Sequence, residues 1–173
     1  MNKNQSGFTI IELITVIILI GILAVAVLPK FDGTASYEAH SHRAQLISAL
    51  RLTQQRAMQQ TDSDDDYCHQ LIFDNDSNVS RYGVPDRVDC EVTTFADDWE
   101  PDATGFEVEE RYQVSFAIKG KTNPSAITFD GMGRPIINKS VDNNCSGGCT
   151  INVQSSVETL DIIIESEGYI HAK

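Results

Sequence analysis

Little in this 173-residue chain interrupts an ordinary fold: it has five prolines, no internal repeat and no low-complexity linker. Positive charge is scarce, with 13 Lys and Arg against 25 Asp and Glu, a net charge of -12, and no basic cluster. A surface that acidic is repelled by phosphate backbones and anionic lipid, which disfavours nucleic acid as a partner. The simpler use of the acidity is to keep an exported domain soluble. Ser, His and Asp are all present, but no Gly-x-Ser-x-Gly elbow or other nucleophile setting frames them, so the chain is not expected to be an enzyme.

Long apolar runs are also rare, and the one present carries the most information. Phe8 to Leu28 is apolar throughout except for Glu12 and Thr9, Thr15 and the glycine at 21. A carboxylate in a segment entering lipid costs about 2.5–3.5 kcal/mol, which makes Glu12 a functional candidate. As a cleaved secretory signal the run is too long, its leader carries only Lys3, and Glu12 interrupts it, although Ala24-Val25-Ala26 has the small-x-small form of a cleavage site. As a plain anchor, roughly 21 helical residues rise about 31 Å and suffice to span, but Glu12 is left without a role. If a peptidase cuts after Gly7, the new α-amino group of Phe8 lies within one turn of Glu12. A cation there would neutralise the acid, within one subunit or between neighbours, and so set register in an assembly. A carboxylate in the first turn also suits the positive end of the helix dipole.

Gly7-Phe8-Thr9-Ile10-Ile11-Glu12-Leu13, followed by an apolar helix, resembles the prepilin signature of type IV pilins and type II secretion pseudopilins. The resemblance implies cleavage between Gly7 and Phe8 by a prepilin peptidase, N-methylation of Phe8, and an assembly role for Glu12. It also implies single-pass insertion in an inner membrane with a periplasmic head, contact with an inner-membrane assembly platform, and incorporation among other pilins in a filament. Gly21 and Pro29 match positions where the family's long helix loosens or bends. Their chemistry agrees, because glycine weakens a helix by about 1 kcal/mol and an interior proline removes a hydrogen bond.

Beyond Pro29 the pattern stays helical. Phe31, Ala35, Ala39, Leu46, Ala49, Leu50, Ala57 and Met58 form a stripe at steps of three and four, with His42, Arg43, Gln45, Gln54, Gln55 and Arg56 on the other faces. The acidic run Asp62 to Asp66 ends it. From Tyr67 the period drops to two. Tyr67–Phe73 and Val79–Val84 read as a hairpin, and Val108 to Ile118 as one longer strand. Ala126–Phe129, Thr150–Val153, Leu160–Glu165 and Tyr169–His171 follow as short strands. The polar stretch from Asp86 to Gly105 reads as a loop excursion. The expected fold is α+β: a long N-terminal helix, half membrane and half amphipathic, packed on an antiparallel β-sheet head. The corresponding segments are a leader at 1–7, an assembly helix at 8–28, an amphipathic continuation at 29–61 and a head at 62–173, the soluble part of about 140 residues being large enough to bury a core.

The four cysteines, Cys68, Cys90, Cys145 and Cys149, all lie in the head, and an even count beyond an export segment suggests disulfides. Three pairings are possible. Cys68–Cys90 and Cys145–Cys149 are favoured because each is local, the second spanning Ser146-Gly147-Gly148; closing the longer loop contributes on the order of 3 kcal/mol. No metal or other cofactor is expected. Asp74-x-Asp76-x-Asn78 opens like a calcium loop, but Val79 and Pro85 stand where such a loop needs glycine and glutamate, so a hydrated turn is the simpler reading. His40 and His42, two apart on a helix, face different ways, and Cys68-His69 with the other cysteines favours disulfides over zinc. Gly131-Met132-Gly133 reads as a turn between strands, and the Cys145–Cys149 loop as a staple or a contact surface.

Ile127-Thr128-Phe129-Asp130-Gly131-Met132-Gly133-Arg134-Pro135, Ile162-Ile163-Ile164 and Gly168-Tyr169-Ile170 resemble the closing strands of H-type pseudopilins and T-type minor pilins. Within that group the layout is most like minor pilins of the mannose-sensitive haemagglutinin pilus, the C-type subunit among them. The resemblance implies a minor pilin that initiates or supports pilus assembly. The alternatives are a minor pseudopilin of a type II secretion system and a tip adhesin subunit.

Overall fold

A computed structural model describes residues 9–27, 32–60, 68–75, 79–108, 112–137 and 145–173. The chain divides into two units, Met1–Thr34 and Ala35–Lys173. The first contains α1, Ile10–Val27, 18 residues that are apolar on every face apart from Glu12 and Thr15. Thr9 starts it as a cap: the backbone N–H of Glu12 donates to Thr9 Oγ1 at 3.3 Å, and Glu12 itself stands at the third helical position. Thr-x-x-Glu ahead of an apolar run is the sequence form of a capping box, in which the threonine satisfies an otherwise orphaned amide. The helix runs unbroken through Gly21, around which a Cβ would meet nothing within 4 Å. Eighteen residues rise about 27 Å, short of the roughly 30 Å hydrocarbon layer. Among the described residues no helix is long and apolar enough to cross a membrane.

The helix α2, Asp32–Gln59, supplies the second unit with its packing element. Ala39, His42, Leu46, Ala49, Leu50, Thr53 and Ala57 are its buried side, spaced by three, four and one as a helical face requires. Two residues depart from the stripe read in the sequence. Met58 is 43% exposed, and His42, expected on a polar face, is buried at 4%. Both corrections come from what α2 packs on: an imidazole fits between aromatic rings there, whereas the stripe runs out at the helix end. Phe31 lies outside the described residues.

Nine strands form two antiparallel sheets among the described residues. They are β1 (Gln70–Asn75), β2 (Ser80–Gly83), β3 (Phe106–Val108), β4 (Ser115–Ile118), β5 (Ser125–Phe129), β6 (Pro135–Ile136), β7 (Cys149–Gln154), β8 (Thr159–Ile164) and β9 (Ile170–Ala172). One sheet runs β3-β2-β1-β5-β6, the other β4-β7-β8-β9. The expected single strand from Val108 to Ile118 is therefore two strands. β3 pairs with β2 in the first sheet, β4 with β7 in the second, and Gln113 between them takes a positive φ of 48° that no strand accommodates. The sheet change, invisible to a period-two pattern, also replaces the single sheet read in the sequence.

A shared core lies between α2 and the inward faces of both sheets, with Leu46, Leu50, Leu71, Phe73, Tyr82, Phe116, Ile127, Ile151, Ile162 and Ile164 all 2% exposed or less. Inward residues in β8, Ile162 and Ile164, alternate as a half-covered strand should. The central strand β1 is different, being buried on both faces at Leu71, Ile72 and Phe73. Its outer face is covered by the segment read as a loop excursion. Phe95 and Trp99 pack there on Ile72 and Ala126, Trp99 Nε1 donates to the Val84 carbonyl at 3.0 Å, and the Cys68–Cys90 disulfide ties in the segment. Cβ atoms at Gly83 and Gly105 would meet the Trp99 ring at 2.6 and 3.0 Å, so both glycines make room for the indole.

Two side-chain amides stitch the layers together. Asn75, ending β1, donates to the Phe116 carbonyl at 2.5 Å and accepts from the Phe116 N–H at 3.3 Å, standing in for a strand neighbour at the edge of β4. Gln54 of α2 donates to the carbonyls of Gly133 and Gly168 at 2.7 and 2.6 Å, joining the β5–β6 and β8–β9 turns. Gly168 has φ +92°, and a Cβ on it would meet the Gly133 carbonyl oxygen at 2.1 Å.

Gln54→Ala is expected to destabilise the head by about 1–3 kcal/mol through two orphaned carbonyls. Gly168→Ala should cost more, because strain and collision add. Gly147→Ala, with positive φ but open space around its Cβ, should lose only about 1 kcal/mol. Urea denaturation of the detergent-solubilised chain measures all three. A Gly168→Ala no worse than Gly147→Ala would contradict the close approach of the two turns.

Candidate functional site

Two places carry functional chemistry, one in each unit. In the first, Gly7, Phe8 and Pro29 lie outside the described residues, while Glu12 and Gly21 are within α1. Among the described residues of this unit the apolar side chains of the helix are exposed, Ile10, Ile11 and Leu23 at 80%, 71% and 63%. An apolar surface of that extent marks a place meant to be covered by protein or lipid. Glu12 sits on it as an exposed first-turn acid, adjacent to the cap that Thr9 provides. Thr9 was not singled out by the sequence reading, yet the signal was present in Thr-x-x-Glu.

In the head the cysteines pair as Cys68–Cys90 and Cys145–Cys149, with Cα–Cα separations of 5.3 and 5.4 Å. No described cysteine is free to ligate zinc. Among the described residues no group of three His, Cys, Asp or Glu could hold a metal ion. Asp76 and Asn78 of the calcium-like spacing lie outside them. The small loop is stapled firmly: Cys145 is buried, Gly147 and Gly148 take φ of +71° and +98°, and the Cys145 N–H donates to the Ala126 carbonyl. Ser146 and Gly147 form its exposed tip.

Asp102 anchors the outer loop to α2. It receives Thr104 at 2.6 Å and lies 3.3 Å from Arg56 and 3.1 Å from Arg87. Burial pushes its carboxyl up, but the bonds from Thr104 and Arg56 and the charge of Arg87 outweigh it, so the acid lies below the usual range. Glu158, in the β7–β8 turn, holds the other end of α2 by accepting from Ser36 and lying 3.7 Å from His40.

His42 is the unexpected group. Its ring lies 5.0 Å from Phe106 and 6.1 Å from Phe116, with Nε2 3.6 Å from Glu38 Oε2, too far for a hydrogen bond. Neither ring nitrogen has a hydrogen-bond partner of good geometry, the Gln45 side chain making only a weak approach. Burial pushes its pKa down against opposing pulls from Glu38 and Gln45, so the imidazole is neutral at ordinary pH. His69 is likewise pushed down, by burial and by the charge of Arg56.

Residues 2–28 match the family described as the Prokaryotic N-terminal methylation motif. Over 101 residues the chain is 33% identical to the Type IV major pilin protein PilA of Myxococcus xanthus (strain DK1622). That stretch covers 56% of this chain and 44% of the relative, so the match spans less than half of the curated protein. No solved structure matches. The motif and the distant relative together support the pilin family.

The histidines give the head a pH dependence of definite sign. A histidine whose pKa is lowered by folding binds fewer protons folded than unfolded, so stability is complete above the ordinary value of 6.5 and falls as pH drops below it. His171, raised by its bond to Glu165, acts in the opposite sense and only above that value. Urea midpoints are therefore expected to decline between about pH 6.5 and 5. His42→Leu should flatten the decline and His171→Gln should leave it unchanged.

Proposed function

We propose that this chain is a structural minor pilin, processed by a prepilin peptidase and taking part in initiating or supporting assembly of a type IV pilus. The observation that carries the reading is an apolar helix with exposed side chains, lying inside the segment that matches the methylation motif. Cleavage after Gly7 would give Phe8 a free amine, to be methylated. That amine and Glu12 would neutralise each other in lipid or between subunits, where either charge alone is costly. The described apolar helix falls short of the bilayer core by about two residues at 1.5 Å each. The apolar residues Phe8 and Leu28, at either end of the run, make up the difference in sequence.

On this reading the protein inserts once in the inner membrane with its head in the periplasm and engages the assembly platform. It then joins other pilins through a bundle of N-terminal helices. Its work is structural rather than catalytic. The minor-subunit reading, nearest to those of the mannose-sensitive haemagglutinin pilus, draws on the closing strands and the stapled loop. A second reading, a shaft subunit, is favoured by the name of the relative, a major pilin.

Mass spectrometry of the membrane-extracted protein is expected to find a methylated Phe8 at the N-terminus. An N-terminus at Val27 would mean ordinary signal-peptidase export and would sink the reading. Glu12→Val should leave processing intact while reducing incorporation into sheared filaments at least tenfold. A deletion strain separates the machines: loss of surface pili with normal exoprotein release supports the minor pilin, and the reverse supports a secretion pseudopilin. Quantifying the chain in purified pili separates a minor from a shaft subunit.

A further inference from the structure

A cleft runs between α2 and the sheet edge at β3. It consists of two adjoining cavities of about 380 and about 210 Å³ that share Gln45 and Phe106. The larger is lined by small side chains, Ala44, Ser48, Ala49 and Ala103, with Tyr82 and Phe106. The smaller is polar at one end, where Glu38 and His42 meet beside Phe106 and Tyr112. Here the His42 ring, 4% exposed, has neither nitrogen in a hydrogen bond of good geometry, Gln45 making only a weak approach. The Glu38 carboxylate lies 3.6 Å away, close enough for one donor to serve both and too far for them to serve each other.

Local charges favour a cation at this point. Glu107, at the rim, is already 3.9 Å from Arg81, which also faces Asp74 at 3.7 Å. Arg43 is turned to His40 and the Lys173 carbonyl. Among the described residues no lysine or arginine forms an ion pair with Glu38. Two aromatic rings beside a carboxylate suit a cation with an apolar stem, since ring faces attract positive charge and long basic side chains lay their methylenes on apolar surface. The net charge of -12 would draw such a group in from a distance.

We propose that this cleft is an interaction site for a basic side chain, arginine or lysine, presented by a segment of a partner protein. The cationic head pairs with the Glu38 carboxylate beside the His42 ring, the stem lies along Phe106, and the flanking backbone occupies the small-residue half of the cleft. The assignment stands on the head alone and does not need the filament reading, which mass spectrometry of the N-terminus tests separately.

The test uses the full chain in detergent micelles with 15N-labelled histidine, titrated at pH 7.5 with Nα-acetyl-arginine N-methylamide while the His42 ring nitrogens are followed by NMR. A saturable shift is expected, at least fivefold stronger than with the neutral citrulline counterpart. Glu38→Gln should weaken it at least fivefold, and so should Gln45→Trp, which fills the cleft from an exposed position; unchanged thermal melts show that both variants fold. Equal response to arginine and citrulline, or an undiminished response in Glu38→Gln, would overturn the proposal. A response to spermidine with none to the blocked arginine would instead identify a free polyamine site and overturn the commitment to a protein partner.

Discussion

Gln54 is the residue on which the head's arrangement most depends. One amide nitrogen donates to two carbonyls, at Gly133 and Gly168, that belong to turns of different sheets. The helix, the five-stranded sheet and the four-stranded sheet therefore meet at a single point. Nearby, α2 also closes the edge of the last strand. The bonds between β8 and β9 use Tyr169 and Lys173 on the inner side, so the carbonyls of Gly168 and Ile170 face outward. Gln54 takes the first and Arg51 the second, at 2.8 Å. An uncovered strand edge is a template for unwanted pairing, and covering it with helix side chains removes that hazard. The apolar core fixes which faces meet, while these polar contacts fix where along the helix they meet.

What the sequence showed plainly followed from local periodicity. Most strands are found within two or three residues of their expected positions, because half-covered strands alternate and turn residues bound them. The amphipathic helix was legible from its stripe of apolar steps. Features that depend on residues far apart in the chain were not. Nothing in the run Val108 to Ile118 announces that its two ends belong to different sheets. Nothing in the polar stretch 86–105 announces that Phe95 and Trp99 cover β1 from outside. That stretch is mostly turn and hydrophilic surface, so its two aromatics carry no period from which their burial could be read.

His42 shows the same limit at the level of function. By helical spacing it joins the buried side of α2 one turn after Ala39 and one before Leu46, but its chemistry assigns it to a polar face. Packing overrides the assignment because Phe106 and Phe116 offer the ring two aromatic neighbours. Desolvation then favours the neutral imidazole, so that Glu38 is left without a full ion pair. The cleft chemistry thus arises from α2, which carries Glu38 and His42, and from β3, which carries Phe106, and no one segment contains its signature.

The two units contrast in how they encode their roles. In α1 the information is compositional: an apolar surface, a threonine cap and one acid at the third helical position, all within four residues of each other at the start. It is here, at residues 2–28, that the methylation motif matches. The head carries its information in contacts between distant residues, such as Asn75 with Phe116 and Gln54 with Gly133 and Gly168. Glu38, His42 and Phe106 likewise meet at the edge of β3 from segments far apart in the sequence.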